Sequence, residues 1–143
     1  MDIHDQGRAV PGWFKAAAIA ALLWELFGCT MYLMQVTADP GSMPAEQRAM
    51  WDATPPWAVA AYAIAVWVGL AGAVLLVLRR RLAEPLLLVS LVAVIAQFAS
   101  LAVAPDLRAI APANAWTMPL GIVLVCAAIW LFARDSKRRG WLR

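Results

Sequence analysis

The chain has 143 residues, of which 64% are hydrophobic and 15% charged, and its formal net charge is +3. Soluble domains have about 45–50% apolar and about 25% charged residues, so this composition excludes an ordinary soluble domain. The length leaves room for one transmembrane domain, residues 1–143, and for no separate soluble module. A membrane β-barrel is excluded as well, because its strands would be shorter and would alternate polar with apolar residues.

Four apolar segments are each about long enough to cross a bilayer as a helix. They comprise residues 13–36, 57–78, 85–104 and 116–133. The segments predict an all-α, four-helix transmembrane bundle whose helices run up-down-up-down. A short outer amphipathic helix is predicted over residues 44–52, where Pro44 suits a first helical position. This helix is either a strap on the membrane surface or a lid over a pocket.

The basic residues are distributed unevenly between the two sides of this bundle. Ten of the 12 lysines and arginines fall in the N-terminal tail, the loop between the second and third helices, and the C-terminal tail. Only Arg48 and Arg108 fall in the other two loops. Because positively charged loops stay in the cytoplasm, both termini are predicted to be cytoplasmic. The positive charge is a topology signal, and no nucleic-acid partner is expected.

A single carboxylate, Glu25, lies at the middle of the first apolar segment. A charge at that depth costs about 3 kcal/mol on insertion scales, so a compensating interaction is needed. The carboxyl is either neutralised inside the helix bundle, or it handles a proton or a cation.

Other polar and aromatic side chains are predicted to gather near Glu25. Glu25 and Gln97 each lie 12 residues from the predicted cytoplasmic start of their helices, and Ser90, Gln97 and Ser100 share one face of the third helix. Polar groups that face lipid are costly, so these stripes are expected to turn inward and to form a pocket in the outer half of the bundle. The candidate ligand-binding residues are Glu25, Tyr32, Gln35, Tyr62, Trp67 and Gln97.

Two kinds of role remain open for these residues. Indole walls beside a carboxylate suit a sugar ring or an organic cation, which predicts a small-molecule ligand. The alternative is a structural contact in which Glu25 hydrogen-bonds Gln97 or a tyrosine, worth about 0.6 kcal/mol on average. No nucleophile–base pair, phosphate loop or metal-ligand cluster occurs in the sequence, so we expect neither an enzyme nor a bound cofactor or metal.

Short motifs spread over most of the chain carry a family resemblance. They are Leu-Leu-Trp-Glu-Leu-Phe-Gly at 22–28 with Tyr32 and Gln35 after it, Ala-Glu-Gln-Arg-Ala at 45–49, Thr-Pro-Pro-Trp at 54–57 and Gly-Trp-Leu at 140–142. In this order they resemble a family of small bacterial four-helix inner-membrane proteins that are often labelled "sugar transporter". The resemblance implies a multi-pass protein of the bacterial inner membrane. That family usually has asparagine at the position of Glu25, which favours a polar pocket or a structural tie over obligatory proton coupling.

The first two helices also carry a local likeness to a second family. Residues 21–30 read ALLWELFGCT, and residues 61–64 read AYAI with Trp67 after them. This pattern is similar to the small multidrug resistance transporters, which have four helices and an essential glutamate in the first. The likeness implies that Glu25 binds a proton or a cation in competition, with Tyr62 and Trp67 beside it. The long first outer loop and the strong charge bias depart from that family.

Together these patterns predict a small transporter or ligand-binding membrane protein embedded in the lipid bilayer. Four helices enclose little volume, so a transporter is expected to need a homodimer. The alternative, from a different functional class, is a non-transporting accessory subunit of a larger membrane complex, with Glu25 as a structural hydrogen-bond tie.

Overall fold

A computed structural model describes residues 9–143, and within that range the chain is all-helical and has no strand. The four long helices are α1 (Gly12–Thr37), α3 (Pro56–Val77), α4 (Ala83–Val103) and α6 (Thr117–Arg138). Two shorter helices, α2 (Ala45–Ala53) and α5 (Pro105–Ile110), lie in the connections. A single turn of 3-10 helix, Pro40–Ser42, precedes α2.

The four long helices are long and apolar enough to cross a membrane, with a mean hydropathy of 1.6 to 2.5 over their most apolar stretches. The predicted four-helix membrane bundle is therefore confirmed. The helix α6 continues to Arg138, beyond the predicted end at residue 133. The predicted end was the end of the apolar run, which shows where the chain leaves the bilayer and not where the helix stops. Lys137 and Arg138 in the last turn favour a longer helix because their positive charges complement the helix dipole.

The helix α5 was not predicted from the sequence. It begins at Pro105, with Asp106 in its first turn. Proline at the first helical position and an acidic residue next to it are start signals. The segment is too short for hydrophobic periodicity to reveal it.

The central pair of the bundle is α3 with α4; α1 packs on α3, and α6 packs on α4. Small residues allow this close approach, as is usual where lipid offers no hydrophobic gain. Gly72 of α3 is buried, and a Cβ at this position would lie 2.9 Å from Leu87 Cγ and 3.2 Å from the Leu87 backbone nitrogen of α4.

One end of the bundle is closed by a group of buried apolar residues, which we call the base cluster. It consists of Phe14, Ala18, Ala21, Leu76, Ala83, Leu87, Ala133, Trp141 and Leu142. The Trp141 ring meets the rings of Trp13 and Phe14 edge to face, with centroids 5.5 and 5.8 Å apart. The residues after α6 therefore complete the packing at this end.

The same residues are also bonded to the turn between α3 and α4. The Arg143 N–H donates to the Arg79 carbonyl at 2.6 Å, and the Arg81 N–H donates to the Arg143 carbonyl at 2.8 Å. Arg79 adopts a left-handed conformation (φ 59°), and its Nε donates to the Trp141 carbonyl at 2.9 Å. Backbone and side-chain contacts together hold this turn against the segment 141–143.

Candidate functional site

At the end of the bundle away from the base cluster, the helices and their connections line an open cavity of about 420 Å³. Ligand pockets are typically about 300–1,000 Å³, so a small molecule fits. All six α-helices or their connections contribute to the wall. The polar lining residues are Gln35, Thr54, Tyr62, Gln97, Ser100 and Asn114.

Two of these polar side chains are bonded to the protein itself. The Thr54 hydroxyl donates to the Met50 carbonyl, and the Ser100 hydroxyl donates to the Gln97 carbonyl, each at 2.7 Å. Among the described residues, the other four make no side-chain hydrogen bond. They are Gln35, Tyr62, Gln97 and Asn114. Three amides and one phenol, from α1, α3, α4 and the turn before α6, therefore line the cavity without a side-chain hydrogen bond to the described chain.

The rest of the wall is apolar, and it includes residues of both short helices. Met50 of α2 and the buried Leu107 of α5 both line the cavity. The helix α2 packs against α5 and has no buried residue of its own. No aspartate, glutamate, lysine, arginine or histidine lies among the described lining residues.

Glu25 is not part of this cavity. It is buried, with 6% of its surface exposed, where α1 meets α3 and α4. A Cβ added to Gly69 would overlap the Glu25 carboxylate oxygen Oε2 and would lie 2.7 Å from Ser90 Oγ. Cys126 of α6 lies close by.

The structure thus places Glu25 against Ser90, about 10 Å along α4 from Gln97, and not beside Gln97 itself. The predicted layer was obtained by counting residues from helix ends, which assumes upright helices of equal depth. The helix α1 has 26 residues and α4 has 21, so the two cannot start and end at the same depths without tilting. Among the described residues, Glu25 makes no hydrogen bond to Gln97 or to a tyrosine.

The predicted aromatic residues form a separate group beside the cavity. The Tyr32 ring packs edge to face against Tyr62, at a centroid distance of 5.3 Å, and against Trp67 at 6.4 Å. Trp67 is 45% exposed, so its indole lies on the outer surface of the bundle. Tyr62 reaches the cavity, and Tyr32 supports it from behind.

The six predicted residues are therefore divided among three places. Gln35, Tyr62 and Gln97 line the cavity, Tyr32 and Trp67 flank it, and Glu25 lies deeper in the bundle. Sequence reasoning missed Asn114. The signal was present, since Asn114 is a lone amide in a loop of alanine and proline, but a loop residue cannot be assigned a depth by counting along a helix.

Comparison of the chain with known protein families, with curated proteins and with solved structures finds no match. The resemblances described from the sequence stay predictions.

Proposed function

We propose that this protein is a non-enzymatic membrane transporter that binds a small uncharged molecule in the cavity. One observation supports this proposal most: four hydrogen-bonding side chains without a protein partner, from four separate parts of the chain, line the same cavity. Amide and phenol groups in a membrane protein need polar partners, and here either water or a hydroxyl-bearing ligand in the cavity can supply them.

The ligand class follows from the chemistry of the lining. Amides offer both donors and acceptors, and a phenol offers one of each, which matches the hydroxyl groups of a sugar. An organic cation would find no carboxylate in the described lining, and Trp67 turns its indole away. We therefore favour a neutral, hydroxyl-bearing ligand over a cation.

The proposal includes an orientation in the bacterial inner membrane. The helices run up-down-up-down with both termini in the cytoplasm, as the bias of lysine and arginine favours. In this orientation the cavity opens toward the outer side, where a transporter captures a nutrient. The short helix α2, which borders the cavity through Met50, then serves as its lid.

A thermal-shift screen of the detergent-purified protein tests the ligand class. We expect a saturable rise in Tm with at least one monosaccharide from a panel, and none with tetraphenylphosphonium as the cation probe. The variant Gln97→Leu should lose this shift, because it removes the amide from the lining. The matched control is Gln47→Leu on the exposed surface of α2, which should keep it.

Two outcomes would overturn the proposal. One is a shift with the cation that Glu25→Gln abolishes, which would favour a multidrug-type site. The other is the absence of any sugar-dependent shift, together with recovery of a stoichiometric larger partner after mild detergent extraction. That result would support the accessory-subunit alternative.

A further inference from the structure

A second polar site lies apart from the cavity, where α1, α3 and α4 meet. Because Gly69 has no Cβ, the Glu25 carboxylate and the Ser90 hydroxyl both lie over its backbone. Ser90 is 3% exposed and Glu25 6%. Neither residue lines the cavity, so this site is distinct from the proposed solute site.

The hydrogen-bond donors beside the carboxylate are already used. The Ser90 hydroxyl donates to the Ala65 carbonyl at 2.7 Å, and the Cys29 thiol, one turn from Glu25 on α1, donates to the Val66 carbonyl at 3.3 Å. A hydroxyl has one proton, so Ser90 can turn only lone pairs toward Glu25. Among residues 9–143, the Glu25 carboxylate receives no hydrogen bond and makes no ion pair.

When Glu25 is ionised, its carboxylate and the Ser90 oxygen both present lone pairs beside Gly69, and among the described residues no positive group is paired with them. The other titratable groups near Glu25 are the thiols of Cys29 and Cys126, and neither supplies a positive charge. A buried carboxyl is neutralised by a proton, by an ion pair or by a bound cation. A cation over Gly69 would satisfy both oxygens at once.

We infer that Glu25 and Ser90 supply protein ligands of a binding site for a small monovalent cation, Na⁺, beside Gly69. Oxygen ligands suit hard cations, and a single carboxylate balances a single positive charge. A transition metal is disfavoured because the described residues contain no group of three His, Cys, Asp or Glu side chains. This inference holds whether or not the cavity binds a sugar.

Equilibrium dialysis of the detergent-purified protein against ²²Na⁺ tests the site, with N-methylglucamine chloride holding the ionic strength constant. We expect saturable binding of one ion per chain. Glu25→Gln should abolish it, because the amide carries no charge. Ser90→Ala should weaken the affinity roughly tenfold, the loss of one neutral oxygen ligand.

Matched controls separate this site from the cavity. Gln97→Leu removes a cavity residue and should bind Na⁺ as the unaltered protein does. If Na⁺ binding is intact while no sugar binds, only the proposed solute function fails. If sugar binds but Na⁺ does not, only the cation site fails.

Several results would overturn the assignment. These are equal Na⁺ binding by Glu25→Gln, the absence of Na⁺ binding between pH 6 and 8, and proton uptake by Glu25 without Na⁺ binding. Gel filtration shows whether Glu25→Gln is folded. If it is not, Glu25→Asp replaces it: this variant keeps the charge on a shorter side chain and should bind Na⁺ more weakly, and unchanged affinity would contradict the site.

Discussion

The two ends of the bundle are made from the same four long helices, yet they are held in different ways. At the base cluster, Trp141 and Leu142 are buried, and the segment 141–143 exchanges backbone hydrogen bonds with the Arg79–Arg81 turn. At the cavity end, α2 buries no residue, and three amides and a phenol have no side-chain hydrogen bond within the described chain. The contrast indicates that the base end holds the helices together, while the cavity end keeps hydrogen-bonding groups that the described chain does not use.

This difference between the two ends follows from the properties of lipid as a solvent for helices. Helices in lipid gain no hydrophobic energy from associating, so they rely on close packing and hydrogen bonds. The base supplies both through aromatic rings and backbone pairing. Polar groups placed at the other end can remain unpaired only where water or a ligand reaches them. If the two ends differ in this way, substitutions at the base should change stability, and substitutions at the cavity should change binding.

The largest effect is expected at the base. Trp141→Ala removes two edge-to-face ring contacts and leaves a void beside Phe14, and large-to-alanine changes of this kind cost about 3 kcal/mol. Thermal denaturation in detergent measures the loss. The control is Trp116→Ala, which truncates an indole that is 43% exposed and should cost far less. Equal losses would show that the base cluster does not dominate stability.

A smaller loss is expected between the two ends, at Gly69. Gly69→Ala places a Cβ on the Glu25 carboxylate, and overpacking of this kind costs about 1–3 kcal/mol. The matched control is Gly121→Ala in α6, where a Cβ meets nothing within 4 Å; this change should stabilise the helix by up to about 1 kcal/mol.

A double-variant cycle sharpens the Gly69 prediction. If the main clash is with Glu25, then Gly69→Ala should cost less in a Glu25→Ala background than alone, and the part of the cost that comes from Ser90 Oγ, 2.7 Å from the added Cβ, should remain. Additive losses would mean that the alanine disturbs the packing of α3 on α4 by another route.

The same contrast explains what could be predicted from the sequence. The four spans were predicted to within two residues at every end but one, because a bilayer imposes one simple requirement, a long apolar run. The helix α2 was predicted to within one residue from a different signal, Pro44 at its start. The end of α6 at Arg138 and the short helix α5 were missed, since both lie outside the apolar runs. The fold could be predicted from the sequence because its four spans are determined mainly by the composition of the four apolar runs.

The candidate sites were harder to predict from the sequence, because they depend on the relative depths of the helices and on which acceptor each hydroxyl proton is donated to. Counting along helices grouped Gln35, Tyr62 and Gln97, which the structure places around one cavity. It also grouped Glu25 with Gln97, whereas Glu25 lies against Gly69 and Ser90. Helix tilt changes which residues of neighbouring helices lie at the same depth, and the tilt cannot be read from the sequence. The bond from Ser90 to the Ala65 carbonyl, on which the cation site depends, is equally invisible in a sequence.

At the cavity end, binding should change without stability. Tyr62→Phe removes the phenolic hydroxyl but keeps the ring contact with Tyr32. For a sugar identified by the thermal-shift screen, we expect the affinity to fall roughly tenfold, equivalent to about 1.4 kcal/mol, while the Tm of the ligand-free protein stays unchanged. Titration of the thermal shift measures the affinity. A fall in Tm without a loss of affinity would place the hydroxyl in a structural role.

The smallest effects compare one ion pair from each end. Asp52→Asn in α2 breaks the pair with Arg48 at 3.1 Å; its side chains are 58% and 45% exposed, and such pairs contribute about 0.5 kcal/mol or less. The comparison at the base is Glu84, whose side chain is 16% exposed and accepts hydrogen bonds from Lys137 at 3.1 Å and from the Trp130 indole at 3.2 Å. Glu84→Gln removes the negative charge and so weakens both interactions. Because hydrogen bonds to charged groups contribute about 1.5–3 kcal/mol when they are well shielded, Glu84→Gln should cost about 1 kcal/mol. Thermal denaturation at low and high salt distinguishes the two ion pairs. Salt screens the exposed Arg48–Asp52 pair more strongly, so its small contribution to stability should disappear first. If Asp52→Asn costs as much as Glu84→Gln, then α2 is held as firmly as the base, and it cannot serve as a lid.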